Sequence, residues 1–276
     1  VARRTVEPTA VPLPTGDPRI RAEVEGPIGR LVIDNRERHN ALALAMWRAI
    51  PAAVGALAEH PEVRVIVVRG AGDRAFVSGA DIGEFAEVRR DAASARAYET
   101  ISLAALVALQ RVEKPTVAMI RGFCLGGGLG LAVSCDLRIA AVDAVFGIPA
   151  ARLGIGYPSE AIASLVAAVG PQQAKALVFS ARRIDAVEAL RIGLVAAVHP
   201  IESLDNEVDD LARTIARNAP LTLRAAKAAI DAVVEGTLAE RHETLTRATD
   251  TCFASEDFGE GRAAFVEKRD PVFHGR

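Results

Sequence analysis

Two glycine-bearing turns are the places where this chain's own backbone could do chemistry. GFCLGGGLGLA (Gly122 to Ala132) follows the apolar run TVAMI, and DRAFVSGADIGEF (Asp73 to Phe85) follows VRVIVVRG earlier in the chain. Glycine loses more backbone entropy on folding than alanine does, so something there needs bare backbone. A strand that runs through such a turn into a helix aims unpaired N–H groups at one spot, where the helix dipole adds positive potential. Tight packing of helix on strand accounts equally well for an isolated triple glycine. A dinucleotide fingerprint does not fit: GxGxxG counted from Gly126 puts Leu131 at its last glycine, and counted from Gly128 it puts Val133 there. Two strand-end turns together can offer two N–H groups to one carbonyl oxygen, which is the arrangement of an oxyanion hole.

The other reactive residue types say less. His39, His60, His199, His242 and His274 show neither HExxH nor HxH spacing, and no metal site is predicted. Cys124, Cys135 and Cys252 form no CxxC pair, which argues against a disulfide framework or structural zinc and fits a reducing cytoplasm. Cys124 has no nearby histidine and reads as a small buried side chain rather than a nucleophile. The net charge of -2, with arginines scattered, argues against a nucleic-acid partner. No apolar run approaches the ~20 residues of a spanning helix, and the N-terminal stretch lacks a signal peptide's apolar centre, so no membrane partner is expected.

The elements that must position the turns can be read from periodicity. With 276 residues, half of them apolar, the chain can bury a sizeable core. A proline-rich arm over residues 1–18 is expected to be flexible. IRAEVEGPIGRLVID reads as two strands joined at Gly26-Pro27, and residues 42–59 read as a helix that Pro51 kinks or starts. VRVIVVRG is a buried strand, residues 93–111 a long helix stopped by Lys114-Pro115, and TVAMI another buried strand. LRIAA and AVFGI read as short strands around a turn at Asp143, and RRI and LVAAVHP as short strands among helices. Alternating strands and helices followed by helix alone imply an α/β core over residues 19–201 and a helical module over 202–276.

NRERHNAL (Asn35 to Leu42), AFVSGADIGEF, KPTVAMIRGFCLGGGLGLAVSCDLRIA, FGIPAARLGIG (Phe146 to Gly156) and SEDFGEGRAAFVEKRDPVF (Ser255 to Phe273) stand in the order and spacing of a known family. From about residue 20 to its end the chain resembles the crotonase superfamily, also called the enoyl-CoA hydratase/isomerase family. The resemblance implies an α/β spiral of ββα turns, a C-terminal trimerisation region, homotrimers or dimers of trimers, and acyl-CoA thioester substrates. Coenzyme A would enter as part of the substrate, with no permanently bound cofactor. The family's two oxyanion donors fall on the backbone N–H groups of Ala80 and Gly127. Ala80, Asp81, Ile82 and Gly83 would lie along the pantetheine and adenine, Arg38 and Ala41 beside the nucleotide. Phe265 and Lys268 match residues that cover the nucleotide, often that of a neighbouring subunit. Arg38 reads otherwise as a solvated turn residue and Lys268 as an exposed helix charge.

The sequence departs from the family where the proton chemistry should be. Hydratases hold a water between two glutamates, and the matching positions are Gly130 and Ala150. A third family position for an acid falls on Pro158. The nearest carboxylate, Glu160, reads either as a partner of a helix N-terminus or as a displaced acid/base. Tyr157, in the same loop, is either a packed aromatic or a hydrogen-bond donor to the acyl group or a water. An enolate-forming enzyme of acyl-CoA metabolism, of lyase or isomerase type, and a catalytically inactive acyl-CoA-binding protein of the same fold both remain open.

Overall fold

The computed structural model describes residues 10–276. The first half of the arm expected to be flexible lies outside these residues, but in its second half β1 (Val11–Leu13) pairs antiparallel with β2 (Ile20–Glu25). β2 turns at Gly26-Pro27 into β3 (Ile28–Ile33), as the sequence indicates. α1 (Leu44–Glu59) then crosses to β4 (Val65–Gly70), which pairs parallel with β3. α1 runs through Pro51 as one helix, neither starting there nor broken, and buries Met46, Trp47, Ile50, Val54 and Leu57. That apolar face outweighs the missing backbone hydrogen bond.

From β4 onward the chain repeats one unit: a strand in a first sheet, a short strand in a second, then helix. β4 leads to β5 (Ala75–Val77), α2 (Phe85–Val88) and α3 (Ala92–Arg111), whose start is fixed by a capping box between Asp91 and Ser94. β6 (Thr116–Ile120) leads to β7 (Phe123–Leu125) and α4 (Gly127–Val133). β8 (Leu137–Ala141) leads to β9 (Val145–Gly147), α5 (Ala150–Leu153) and α6 (Ser159–Ser180). The sequence places β8 and β9 around one turn, and the turn is there, but they join different sheets. β10 (Arg183–Asp185), α7 (Ala186–Arg191) and β11 (Ala197–His199) close the core. The first sheet runs β1-β2-β3-β4-β6-β8-β11 and the second β10-β9-β7-β5.

The central strands are buried on both faces, which explains their unbroken apolar runs. In β4, Ile66 and Val68 point into the main core, while Val65 and Val67 meet Leu204, Val208 and Ala212 of α8 (Leu204–Arg217). Arg30 of β3 holds Asp209 of α8 with both carboxylate oxygens at 3.0 Å. Thus α8 is the second cover of the sheet. Of the helical stretch expected from residue 202, α9 (Pro220–Val234), α10 (His242–Ala254) and α11 (Glu256–Glu267) stand beyond that cover, with α10 packed on both α9 and α11.

α6 differs from what the apolar runs of the sequence predict. It is long and apolar enough to cross a membrane, with a mean hydropathy of 1.3, although no such run was expected. It is two segments joined across a kink at Gly170, where the backbone is non-helical and Pro171 follows, so the length does not belong to one straight rod.

Candidate functional site

The two glycine turns meet because β5 and β7 are parallel neighbours in the second sheet. Chains leaving the same end of adjacent parallel strands emerge side by side, here as Ser78-Gly79-Ala80 and Gly126-Gly127-Gly128. The approach is close. A Cβ on Gly128 would lie 2.1 Å from the Val77 carbonyl oxygen at the end of β5, so no side chain fits there. Gly126 caps α4 with φ of 50° and ψ of -118°, a conformation open to glycine alone.

Both turns line one cavity. Ala80 forms a parallel bridge with Leu42, in which the Leu42 N–H donates to Gly79 O at 2.8 Å and the Asp81 N–H donates to Leu42 O at 2.9 Å. A residue flanked by such bonds points its own N–H away from the partner strand, and Ala80 lines the cavity on that side. Gly127 is the first residue of α4, so its N–H has no acceptor within the helix. A Cβ on Gly127 would sit 3.8 Å from the Ala80 nitrogen and 3.0 Å from Cζ2 of Trp47. Ala80 and Gly127 therefore border one small space, which a Cβ at 127 would narrow.

The rest of the wall comes from α1, α2, α3 and the segment between α5 and α6. Among the described residues no carboxylate lines it. Gly130, Ala150 and Pro158 all face the cavity, and none can move a proton. Gly130 leaves no void: the Tyr157 hydroxyl lies 3.2 Å from where its Cβ would be and donates to Gly126 O at 2.9 Å. Burial pushes the Tyr157 phenol well above its ordinary range, so it stays protonated. Glu160 is not brought to the site. It is exposed at the second position of α6, its Oε2 accepting from the Ser159 hydroxyl at 3.1 Å, where its charge complements the helix terminus. Pro158 is the cap and Ser159 the first helical residue.

Of the expected coenzyme contacts, one group converges and one does not. Arg38 Nη1 reaches Asp81 Oδ1 at 3.2 Å, and that same oxygen accepts from the Gly83 N–H at 2.9 Å. Ala41 adjoins the Leu42–Ala80 bridge, and Ile82, 62% exposed, stands at the cavity mouth. Phe265, 86% exposed, lines a separate apolar hollow between the C-terminal helices, and Lys268 is the left-handed cap of α11; neither lines the cavity of the glycine turns. Cys124 is fully buried, and burial raises its thiol far above its ordinary range, as expected of a packing residue.

Trp47, Phe85, Arg89, Tyr98 and Ser102 also line the cavity and were not singled out in the sequence. They sit on helical segments whose apolar periodicity reads as ordinary core. The available signal was the polar tip on the two large aromatics, which burial obliges to find a partner.

The family model described as "Enoyl-CoA hydratase/isomerase" matches residues 23–276. A short-chain-enoyl-CoA hydratase of Clostridium acetobutylicum is 35% identical over 247 residues, covering 90% of this chain and 94% of its own. A crotonyl-CoA hydratase of Syntrophomonas wolfei is 37% identical, covering 91% and 96%. The crystal structure of a putative enoyl-CoA hydratase/isomerase family protein from Hyphomonas neptunium superposes with a TM-score of 0.90 at 35% identity, over 95% of this chain and all of that one. Strand order, repeating unit and paired glycine turns agree with this likeness, and the chain belongs to the enoyl-CoA hydratase/isomerase family, the crotonase superfamily.

Proposed function

We propose that this protein binds an acyl-CoA thioester with its carbonyl oxygen between the N–H groups of Ala80 and Gly127, and stabilises there the oxyanion of an enolate-like state. The observation that carries this reading is the space bordered by Ala80 and Gly127, which a Cβ on Gly127 would narrow. Each donor in such a hole contributes roughly 2.7–4 kcal/mol to the transition state. Arg38, Ala41 and the run Ala80 to Gly83 lie where the coenzyme would leave the cavity. Phe265 and Lys268 would serve from a neighbouring subunit, since neither lines the cavity of their own chain.

The reaction is not hydration by a glutamate pair, because the wall offers no such pair. Tyr157 is the hydroxyl nearest the missing carboxylate, and its raised pKa makes it a donor, of a hydrogen bond or a proton, rather than a base. A lyase or isomerase acting through such an enolate fits this wall; Glu160 is given no part. The lack of any carboxylate also favours a second reading, in which the protein binds acyl-CoA and turns nothing over.

Mass spectrometry of enoyl-, hydroxyacyl- and dicarboxylic acyl-CoA thioesters incubated with the protein separates the two. Conversion of one class, abolished by Tyr157→Phe, supports the enzyme; tight binding without conversion of any supports the binder. Thioesters that neither bind nor react would refute both.

The chain's partner in solution is a further copy of itself, as a trimer or a pair of trimers. Ile230, Val233 and Val234 on α9, Phe253 on α10 and Val266 on α11 are each at least 60% exposed, more apolar surface than a solitary chain usually leaves open.

A further inference from the structure

Three polar groups meet on the cavity wall, the indole Nε1 of Trp47, the hydroxyl of Tyr98 and Nε of Arg89; the indole and the guanidinium lean on the Tyr98 oxygen, but none of the three completes a well-formed hydrogen bond among the described residues. Trp47 and Tyr98 are only 2% and 3% exposed. A buried donor left without an acceptor costs ~1–3 kcal/mol, and one phenol oxygen cannot serve two N–H groups well while its own O–H has no acceptor, so this cluster calls for something from outside to complete it. Their chemistry states what that is. The indole and the guanidinium only donate, and the phenol donates as readily as it accepts. The missing piece is an acceptor with several lone pairs.

Its charge follows from Arg89. The guanidinium carbon stands 4.2 Å from the centre of the Tyr98 ring and 4.9 Å from that of Phe85. Aromatic faces hold a guanidinium in place without neutralising it. The nearby acids are occupied: Glu84 accepts from the Leu44 N–H at 2.8 Å, and Asp91 caps α3. Burial pushes the Tyr98 phenol up to about 12, which keeps its proton in place beside an incoming anion.

We infer that the acyl group this site takes is short and ends in a carboxylate, bound by Arg89 with the Tyr98 hydroxyl and the Trp47 indole N–H. The inference rests on the thioester carbonyl lying between Ala80 and Gly127. Trp47 links the two ends, because its Cζ2 edge stands 3.0 Å from the Cβ position of Gly127 while its Nε1 belongs to the unpartnered group. An alkyl acyl group would strip water from three donors and return nothing, and sites built for hydrogen bonding reject such analogues strongly.

The test is equilibrium binding of malonyl-, succinyl- and glutaryl-CoA against propionyl-, butyryl- and pentanoyl-CoA, using the full chain, Arg89→Gln and Tyr98→Phe, each checked for an unchanged thermal melt. Where a thioester turns over, kcat/KM replaces the binding constant. At one chain length at least, the carboxylated thioester is expected to bind ~10-fold or more tightly than its neutral counterpart, and Arg89→Gln to reduce that ratio to within ~2-fold; tenfold corresponds to about 1.4 kcal/mol. Tyr98→Phe, which keeps the ring under the guanidinium, should lower the ratio in part. Neutral thioesters that bind as well at all three lengths, or a preference that survives Arg89→Gln, would overturn the inference and leave the oxyanion reading intact. Failure of every thioester to bind would remove that reading and this one together.

Discussion

The Tyr157 hydroxyl occupies the space above Gly130, 3.2 Å from where a Cβ would stand, and is tied to the Gly126 carbonyl at 2.9 Å. The place that the resemblance matches to a hydratase glutamate is thus occupied from another segment of the chain by a group that holds its proton. Gly130 reads as a loss in the sequence, whereas in the fold it is one half of an exchange.

Removing that hydroxyl separates its two roles. The Gly126 carbonyl also accepts from the Gly130 N–H at 3.0 Å, so Tyr157→Phe leaves no orphan and should cost only about 1 kcal/mol in a denaturant melt. If Tyr157 serves in turnover, the same variant loses ~100-fold or more in kcat while thioester affinity changes little. A proportionate loss of affinity and rate would reduce it to a packing residue.

The chain has only two tyrosines, Tyr98 and Tyr157, and both phenols are held above their ordinary range by burial. A raised folded-state pKa means the native state keeps protons that the unfolded chain gives up near pH 10. Their contribution to stability is thus complete below pH 10 and is lost as the pH rises toward and beyond about 12. Phenolate absorbance should stay absent from the folded protein at pH 10 and appear in step with unfolding. Half-ionised tyrosines in a native sample at pH 10 would show the cavity to be wet.

Two glycines give opposite results with alanine. Gly128→Ala drives a Cβ to 2.1 Å from a backbone oxygen that cannot swing aside, and should cost at least ~3 kcal/mol or abolish soluble expression. Gly55, within α1, has nothing within 4 Å of its Cβ position, and Gly55→Ala should stabilise by ~0.5–1 kcal/mol. Equal melting temperatures would contradict the close contact between α4 and β5.

The exposed face on the last three helices predicts assembly. Sedimentation should give three or six times the 29.1 kDa chain mass, and Phe253→Arg combined with Val266→Arg should lower it to one. A wild-type monomer would remove the neighbouring subunit on which the expected roles of Phe265 and Lys268 depend.

What could be read in the sequence follows from how locally each feature is encoded. The β3 and β4 strands, TVAMI and the glycine turns announce themselves through continuous apolar runs and bare backbone. The role of α8 does not, although VIVV in β4 implies it, since a strand apolar at every position needs a cover on both faces. Trp47, Arg89 and Tyr98 lie on three successive helical segments, and only the packing of α1 on α3 brings their polar tips together. Glu160 attracted notice by nearness in sequence, but the direction of a helix's first turn decides where a side chain points, and this one points to solvent.

A crystal structure of the protein with a slowly reacting acyl-CoA thioester tests the pairing of Ala80 and Gly127 around one oxygen most directly. The thioester oxygen is predicted to lie within ~2.7–3.1 Å of both the Ala80 and Gly127 nitrogens, with the acyl chain running toward Trp47. An oxygen that meets only one of those nitrogens, or an acyl group seated outside the space between them, would contradict it.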